Sequence, residues 1–169
     1  MTETQSPPLP SVARLQELLF DAARTGRADM IPALLQAGAT FAAYDVKGHT
    51  ALILASYHGH ADATAALLDA GAPVDAGDRD RGNTALMGCA FKGHDAIARG
   101  LIDAGAVPDA RNAAGQTALM LAAMVARDAI VDMLLEAGAD PSLADDAGNT
   151  AASVAAGQGN AAMAARLAR

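Results

Sequence analysis

A Gly-Ala pair recurs along the chain at almost constant intervals. The four pairs begin at Gly38, Gly71, Gly105 and Gly138, so successive pairs lie 33, 34 and 33 residues apart. A second glycine series has the same period, with a threonine two residues after each member: Gly48, Gly82, Gly115 and Gly148. Because two independent series share one period, one structural unit is copied along the chain. Such an array buries apolar residues between neighbouring copies and binds partners along a surface of equivalent positions.

The copy from residue 45 to residue 72 indicates how each unit folds. Gly48 permits the positive φ that a tight turn requires, and the hydroxyl of Thr50 can accept a free backbone N–H and begin a helix. Apolar residues follow at helical spacing until Gly59, which can end the helix in a left-handed conformation. A second helix then runs to Gly71. Each unit is therefore predicted to be a helix, a turn, an antiparallel helix and a loop to the next turn.

These residues resemble the ankyrin repeat, whose pattern is Asp-x-x-Gly-x-Thr-Pro-Leu-His-x-Ala-Ala, then Gly-His, Leu-Leu and Gly-Ala. The resemblance extends from about Val12 to Arg169 and keeps a constant phase. It implies an all-α solenoid of about five helix-turn-helix units joined by short β-hairpin-like loops. The expected divisions are a flexible N-terminal tail, 1–11, and a single domain, 12–169, with units at about 12–44, 45–77, 78–111, 112–144 and 145–169.

Two departures from this pattern predict local irregularity. Ala126 and Arg127 stand where the fourth unit should have Gly-His, so the helix before them lacks its usual glycine stop. The interval from Gly71 to Gly82 is one residue longer than its counterparts, with the additional residue near Asp78 and Arg79. We therefore expect the hairpin of the third unit to be bulged or longer than the others.

The composition excludes several classes of partner and compartment. A net charge of −7 argues against nucleic acid, since a basic surface supplies most of that affinity. No apolar run approaches the ~20 residues that cross a bilayer, so we expect no membrane partner. The single cysteine, Cys89, excludes an internal disulfide framework and is typical of a reducing compartment, which predicts a cytoplasmic protein. Few lysines and many arginines, alanines, glycines and aspartates indicate a GC-rich bacterial source.

The ankyrin resemblance also implies that a partner binds the concave side, on the hairpin tips and the ends of the first helices. The corresponding candidate residues are Arg24, Tyr44, Lys47, His49, Tyr57, His58, Arg81, Asn83, Phe91, Lys92, Arg111, Gln116 and Met124. Tyr57, Phe91 and Met124 occupy one column of this surface, and large apolar side chains are common anchors of protein interfaces. The alternative is that these three side chains fold down against the next unit as core.

Charge is distributed unequally over the predicted unit. Half of the basic residues fall on hairpins or first helices: Arg24, Lys47, Arg79, Arg81, Lys92 and Arg111. Acidic residues fall instead on second helices: Asp62, Asp69, Asp95, Asp103, Asp128, Asp132 and Glu136. This pattern predicts a neutral to basic concave face and an acidic back.

The titratable residues do not form a recognisable catalytic or metal-binding set. His58 and His60 flank a turn and are expected to point apart, while Cys89 falls on a buried alanine position. We therefore expect no cofactor, no catalysis, and a monomeric module that binds a protein partner. Two alternatives remain: a metal- or small-molecule-dependent, stress-related protein that uses His49, His58 and Cys89, and an immunity or host-directed ankyrin factor.

Overall fold

Pairs of helices follow one another along residues 10–168, the part of the chain that the computed structural model describes. The first helices of the pairs are α1 (Val12–Thr25), α3 (Ala51–Tyr57), α5 (Ala85–Lys92), α7 (Ala118–Met124) and α9 (Ala151–Gly157). The second helices are α2 (Ile31–Gln36), α4 (Ala61–Asp69), α6 (Asp95–Asp103), α8 (Asp128–Glu136) and α10 (Ala161–Leu167), with a 3₁₀ turn at Ala28–Met30 before α2. Within residues 10–168 there is no strand, and one isolated bridge joins Ala144 to Thr150. The predicted all-α repeat solenoid is confirmed.

The helices are arranged in two layers. Each first helix packs on the first helix of the next unit, from α1 through α9, and second helices from α2 through α8 contact one another in the same order. One helix pair falls in each of the five predicted units. The division into a single domain stays a proposal. Of the predicted tail, residues 1–9 lie outside the described residues, whereas the hydroxyl of Ser11 accepts the N–H of Arg14 and caps α1.

A threonine begins each first helix from the second unit onward. In each case the hydroxyl accepts the backbone N–H three residues later, at 3.2 to 3.4 Å. The capping residues are Thr50, Thr84, Thr117 and Thr150. An uncapped helix leaves its first N–H groups without partners, and in each of the last four units the threonine hydroxyl supplies one of these partners.

Small residues occupy the centre of the stack. Ala55, Cys89, Ala122 and Ala155 stand at equivalent positions of successive first helices, and all four are fully buried. Side chains of this size allow neighbouring helices to approach closely. The prediction that Cys89 occupies a buried alanine position is confirmed. Larger side chains fill the space between the two layers, and Leu67, Leu101 and Leu134 of the second helices are fully buried.

The hairpin tips share one hydrogen-bond pattern. In the second unit the N–H of Asp45 donates to the carbonyl of His49, and the Asp45 carboxylate accepts N–H groups from Lys47 and His49. In the third unit the N–H of Asp78 reaches the carbonyl of Asn83 instead, so this tip contains one more residue. The predicted longer hairpin of the third unit is present.

The first helix of the fourth unit ends without glycine. Helix α7 stops at Met124, and Ala126 takes a φ of 55°, the conformation that glycine adopts at the corresponding stops. The N–H of Arg127 donates to the carbonyl of Ala122 at 2.9 Å and closes the turn. Packing of the helix pair therefore imposes a left-handed conformation on an alanine.

Among the helices of residues 10–168, none is both long and apolar enough to cross a membrane.

Candidate protein-binding groove

An open groove of about 800 Å³ runs along the hairpin tips and first helices of the central units. Ten of the thirteen candidate residues line it: Arg24, Lys47, His49, Tyr57, His58, Arg81, Asn83, Phe91, Gln116 and Met124. They come from sequence positions 24 to 124, so the repeat brings residues from four units to one surface. We refer to this surface as the groove.

Two aromatic rings stand on the floor of the groove. Tyr57 at the end of α3 is 42% exposed, and Phe91 at the end of α5 is 43% exposed. Met124, the third member of the column, is half-buried. The Tyr57 ring contacts the next unit, where Lys92 Nζ lies 5.1 Å from its centroid. Both rings are therefore available to a partner, in contrast to the alternative that they belong to the core.

Sequence reasoning missed the apolar residues beside these rings. Ile53 and Leu54 of the second unit, Met87 and Gly88 of the third, and Leu121 of the fourth also line the groove. They stand three or four residues after the capping threonine. A side chain four residues after the cap shares a helix face with one seven residues after it. The apolar residues could therefore have been predicted from their helical spacing to Tyr57 and Phe91.

Acidic residues balance the basic residues of the groove. Its lining contains Arg24, Lys47 and Arg81, together with three acids, Asp45, Asp78 and Asp80. The groove thus lies at the neutral end of the expected range. The seven acids assigned to second helices do fall on α4, α6 and α8.

The Asp45 side chain is a buried anion at the edge of the groove. Its carboxylate accepts backbone N–H groups from Lys47 and His49 at 2.9 Å, and Arg24 Nη2 lies 3.3 Å from its second oxygen. Partial burial by itself raises the pKa of Asp45, but the backbone hydrogen bonds from His49 and Lys47, the charge of His49 and the hydrogen bond from Arg24 outweigh it and lower the pKa. The Asp45 carboxylate therefore stabilises the hairpin turn to which it belongs.

Asp78 has the same role in the longer tip. One carboxylate oxygen accepts the N–H groups of Asp80 and Arg81 at 3.0 and 2.6 Å, and the other accepts that of Asn83 at 3.2 Å. Because both oxygens point into the hairpin, Asp78 contributes little hydrogen-bonding capacity to the groove.

Three candidate residues lie beside the groove. The guanidinium carbon of Arg79 lies 4.4 Å from the Tyr44 ring centroid, so Tyr44 supports the third tip. Lys92 lies over the Tyr57 ring. Arg111 donates to the carbonyl of Ala144 at 2.7 Å and therefore joins neighbouring hairpins.

The histidines have different surroundings. The rings of His58 and His60 stack with centroids 6.3 Å apart, so the prediction that they point apart is wrong; the turn at Gly59 brings them together. His60 Nε2 lies 2.9 Å from the carbonyl oxygen of Arg24, a contact between units. Burial lowers the pKa of His58, as do His60, Arg24 and Lys92 nearby.

The Cys89 side chain does not have the environment of a reactive thiol. The side chain is fully buried, its Sγ donates to the carbonyl of Ser56 at 3.7 Å, and burial raises the pKa of the thiol to about 12. A neutral thiol is a poor nucleophile and a poor metal ligand. Among residues 10–168, no three His, Cys, Asp or Glu side chains are grouped as a metal ion requires.

Comparison with known families shows what this chain is similar to. The family described as ankyrin repeats (3 copies) matches residues 19–112 and 75–145, and these two segments together span most of the chain. A comparison with curated proteins finds no match. Ankyrin repeats generally act as protein–protein interaction modules and are typically non-catalytic. The period, the capping threonines, the stacked helix pairs and this match lead to one conclusion: the chain belongs to the ankyrin-repeat family.

Proposed function

We propose that this chain is a non-catalytic module that holds one protein partner in the groove, on the concave side formed by hairpin tips and first helices. The observation that carries this proposal is the exposure of Tyr57 and Phe91, 42% and 43%, in one column. Exposed aromatic rings at neighbouring positions are costly in water unless a partner covers them. Aromatic side chains are also frequent binding hot spots.

The polar surroundings suit this role. Lys47, His49 and Arg81 stand on the tips beside the apolar floor, as in interfaces that combine an apolar centre with a polar rim. The acids Asp45 and Asp78 are engaged by their own hairpins. Polar groups that hold the tips in place limit the ordering cost of binding.

A metal- or small-molecule-dependent function has less support. That alternative uses Cys89 together with His49 and His58, but Cys89 is buried between first helices while the two histidines line the groove. We therefore keep the protein-binding function alone. The remaining expectations, a bacterial source, a cytoplasmic location, a monomeric state and an immunity or host-directed role, rest on composition and resemblance.

Affinity capture with matched variants tests the proposal. Immobilised wild-type protein is compared with the double variant Tyr57→Ala/Phe91→Ala, using extract from the source organism. Each substitution is expected to weaken a partner by about 2 kcal/mol or more. The control is Val12→Ala/Val107→Ala, which removes apolar side chains that are 64% and 52% exposed but lie outside the groove. Full recovery of the same partners by the double variant would contradict the proposal.

A further inference from the structure

Gly88 interrupts a column of apolar residues on the first helices. The position four residues after the capping threonine is Leu54 in the second unit, Leu121 in the fourth and Val154 in the fifth, but Gly88 in the third. Gly88 lies inside α5 and lacks the positive φ of the glycines at turns and helix ends. A glycine there destabilises the helix relative to alanine. The backbone conformation therefore does not require glycine at position 88.

The missing side chain leaves a notch in the floor of the groove. Apart from its chain neighbours and the backbone of its own helix, a methyl group at Gly88 would have one neighbour within 4 Å, Cδ2 of Tyr57 at 3.4 Å. Phe91 follows on the same helix face one turn later. Leu54 and Leu121 line the groove on the adjacent first helices. The notch is thus open to the groove and surrounded by large apolar side chains.

Among the described residues, the charged side chains around the notch that lack an ion-pair partner are mainly positive. Lys92 reaches over the Tyr57 ring, and Lys47 and Arg81 project from the neighbouring tips. Within residues 10–168, none of these three cations has an ion-pair partner. Of the three acids that line the groove, Asp45 is paired with Arg24 and Asp78 is turned into its hairpin, which leaves Asp80 to oppose these cations. A carboxylate-bearing ligand complements this arrangement.

We infer that the notch at Gly88 receives one large apolar side chain from an acidic segment of the protein partner. This inference rests on the proposed function and specifies its ligand. The apolar side chain enters beside Tyr57 and Phe91, where it contacts both rings. Acidic residues on either side of it face Lys47, Arg81 and Lys92.

Selection from a peptide library tests the ligand chemistry. A displayed library of random 12-residue peptides is panned on the wild-type protein at low salt. Selected peptides are expected to share one leucine, methionine or phenylalanine flanked by aspartate or glutamate. Replacing that apolar residue with alanine is expected to weaken binding about tenfold or more, because the buried side chain supplies most of the apolar contact. Enriched peptides that are basic, or that lack a common apolar residue, would overturn the inference, as would the absence of any enriched peptide.

Filling the notch tests the site. Gly88→Leu installs the residue found at positions 54 and 121 and is expected to weaken the selected peptides about tenfold or more. Gly88→Ala is expected to raise the melting temperature by a few degrees, because alanine is the better helix residue. It is still expected to lower the affinity for the selected peptides. The control is Gly100→Ala, at a helical glycine in α6 where the added methyl group would have no atom within 4 Å other than its chain neighbours and the backbone of its own helix. It should raise stability and leave affinity unchanged.

The two proposals fail in different ways. Peptides that bind Gly88→Leu and Gly88→Ala as tightly as wild type, yet are lost on Tyr57→Ala/Phe91→Ala, would refute the notch and preserve the proposed function. Peptides whose affinity is unchanged by all of these variants would refute both the notch and the proposed function. A Gly88→Leu protein that does not fold leaves Gly88→Ala to decide the inference.

Discussion

The guanidinium group of Arg127 covers Gly93, the residue that ends α5 in the preceding unit. A methyl group built on Gly93 would lie 2.8 Å from both Cζ and Nε of Arg127. The rings of His60 and His94 cover Gly26 and Gly59 in the same way. In the second, third and fourth units the residue that follows the helix stop thus packs on the helix stop of the unit before it, and arginine replaces histidine in the fourth unit.

Gly93→Ala is expected to lower the free energy of unfolding by about 1–2 kcal/mol. Gly93 has a φ of 80°, a left-handed conformation that costs an alanine about this much, and the added methyl group also displaces Arg127. Urea denaturation followed by circular dichroism measures the change. Gly100→Ala is the matched control and should have the opposite sign. A neutral Gly93→Ala would be inconsistent with the contact described above.

Ala126→Gly is expected to stabilise the protein by about 1 kcal/mol. The φ of 55° at Ala126 is strained for alanine, and glycine removes that strain. The same substitution at Ala129, an exposed position within α8, should destabilise by about 1 kcal/mol because glycine is a poor helix former. Thermal melts of the two variants therefore move in opposite directions. A lower melting temperature for Ala126→Gly would refute the assignment of strain.

Asp45→Asn/Asp145→Asn is expected to flatten the loss of stability in acid. For Asp45, hydrogen bonds to the carboxylate outweigh burial and lower the pKa, and for Asp145 the hydrogen bond from the Asn149 N–H is the main cause of a lowered pKa. A carboxylate whose folded pKa is lowered stabilises the protein above its ordinary pKa, about 4, and this contribution disappears as the pH falls through the folded value.

The fourth unit provides a natural control for this substitution. Asn112 stands at the equivalent position, and its side-chain oxygen accepts the N–H groups of Ala114 and Gln116 at 3.0 and 2.9 Å. An amide can therefore hold the same turn at neutral pH. Unfolding free energies measured from pH 7 to pH 3 should converge for wild type and variant only at low pH. Parallel curves would show that these carboxylates do not contribute to acid sensitivity.

Cys89 is expected to react with iodoacetamide only when the array opens. The thiol is buried and its pKa is raised to about 12 by burial, so little thiolate is available in the folded state. We expect labelling at pH 8 to be roughly 100-fold or more slower than in denaturant. A Val46→Cys/Cys89→Ser protein, with its thiol on a fully exposed tip, should react rapidly. Fast native labelling of Cys89 would contradict its burial.

Leu101→Ala is expected to cost about 2–5 kcal/mol of stability. Leu101 of α6 is fully buried, and its truncation leaves a cavity between the two helix layers. Val107→Ala, at a position that is 52% exposed, should change the unfolding free energy by less than about 0.5 kcal/mol. Urea titrations of both variants measure these values. Equal effects would mean that Leu101 does not lie in the core.

The fold was predictable because its determinants are local and repeated. Each glycine turn, each threonine cap and the additional residue before Gly82 can be identified from spacing alone. The end of α7 was not predictable in this way, because Ala126 adopts its conformation under the constraint of packing. The stacking of His58 on His60 also depends on the three-dimensional path of a turn.

The candidate site was predictable only in outline. The resemblance placed most of the candidate residues along the groove, since equivalent positions of a repeat share one surface. It did not reveal that Asp45 and Asp78 are used by their own hairpins, because that depends on hydrogen-bond geometry. Nor did it single out Gly88, whose importance appears only when the side chains around it are in place. The binding role of these residues remains a prediction.

The longer tip at residues 78–83 and the glycine at position 88 belong to the same unit. Identical copies would let a ligand settle at several offsets along the array with similar energy. Here, a ligand displaced by one unit in either direction would meet a shorter tip and a leucine, Leu54 or Leu121, in place of hydrogen. We therefore expect the irregular unit to restrict a ligand in the groove to one position along the array.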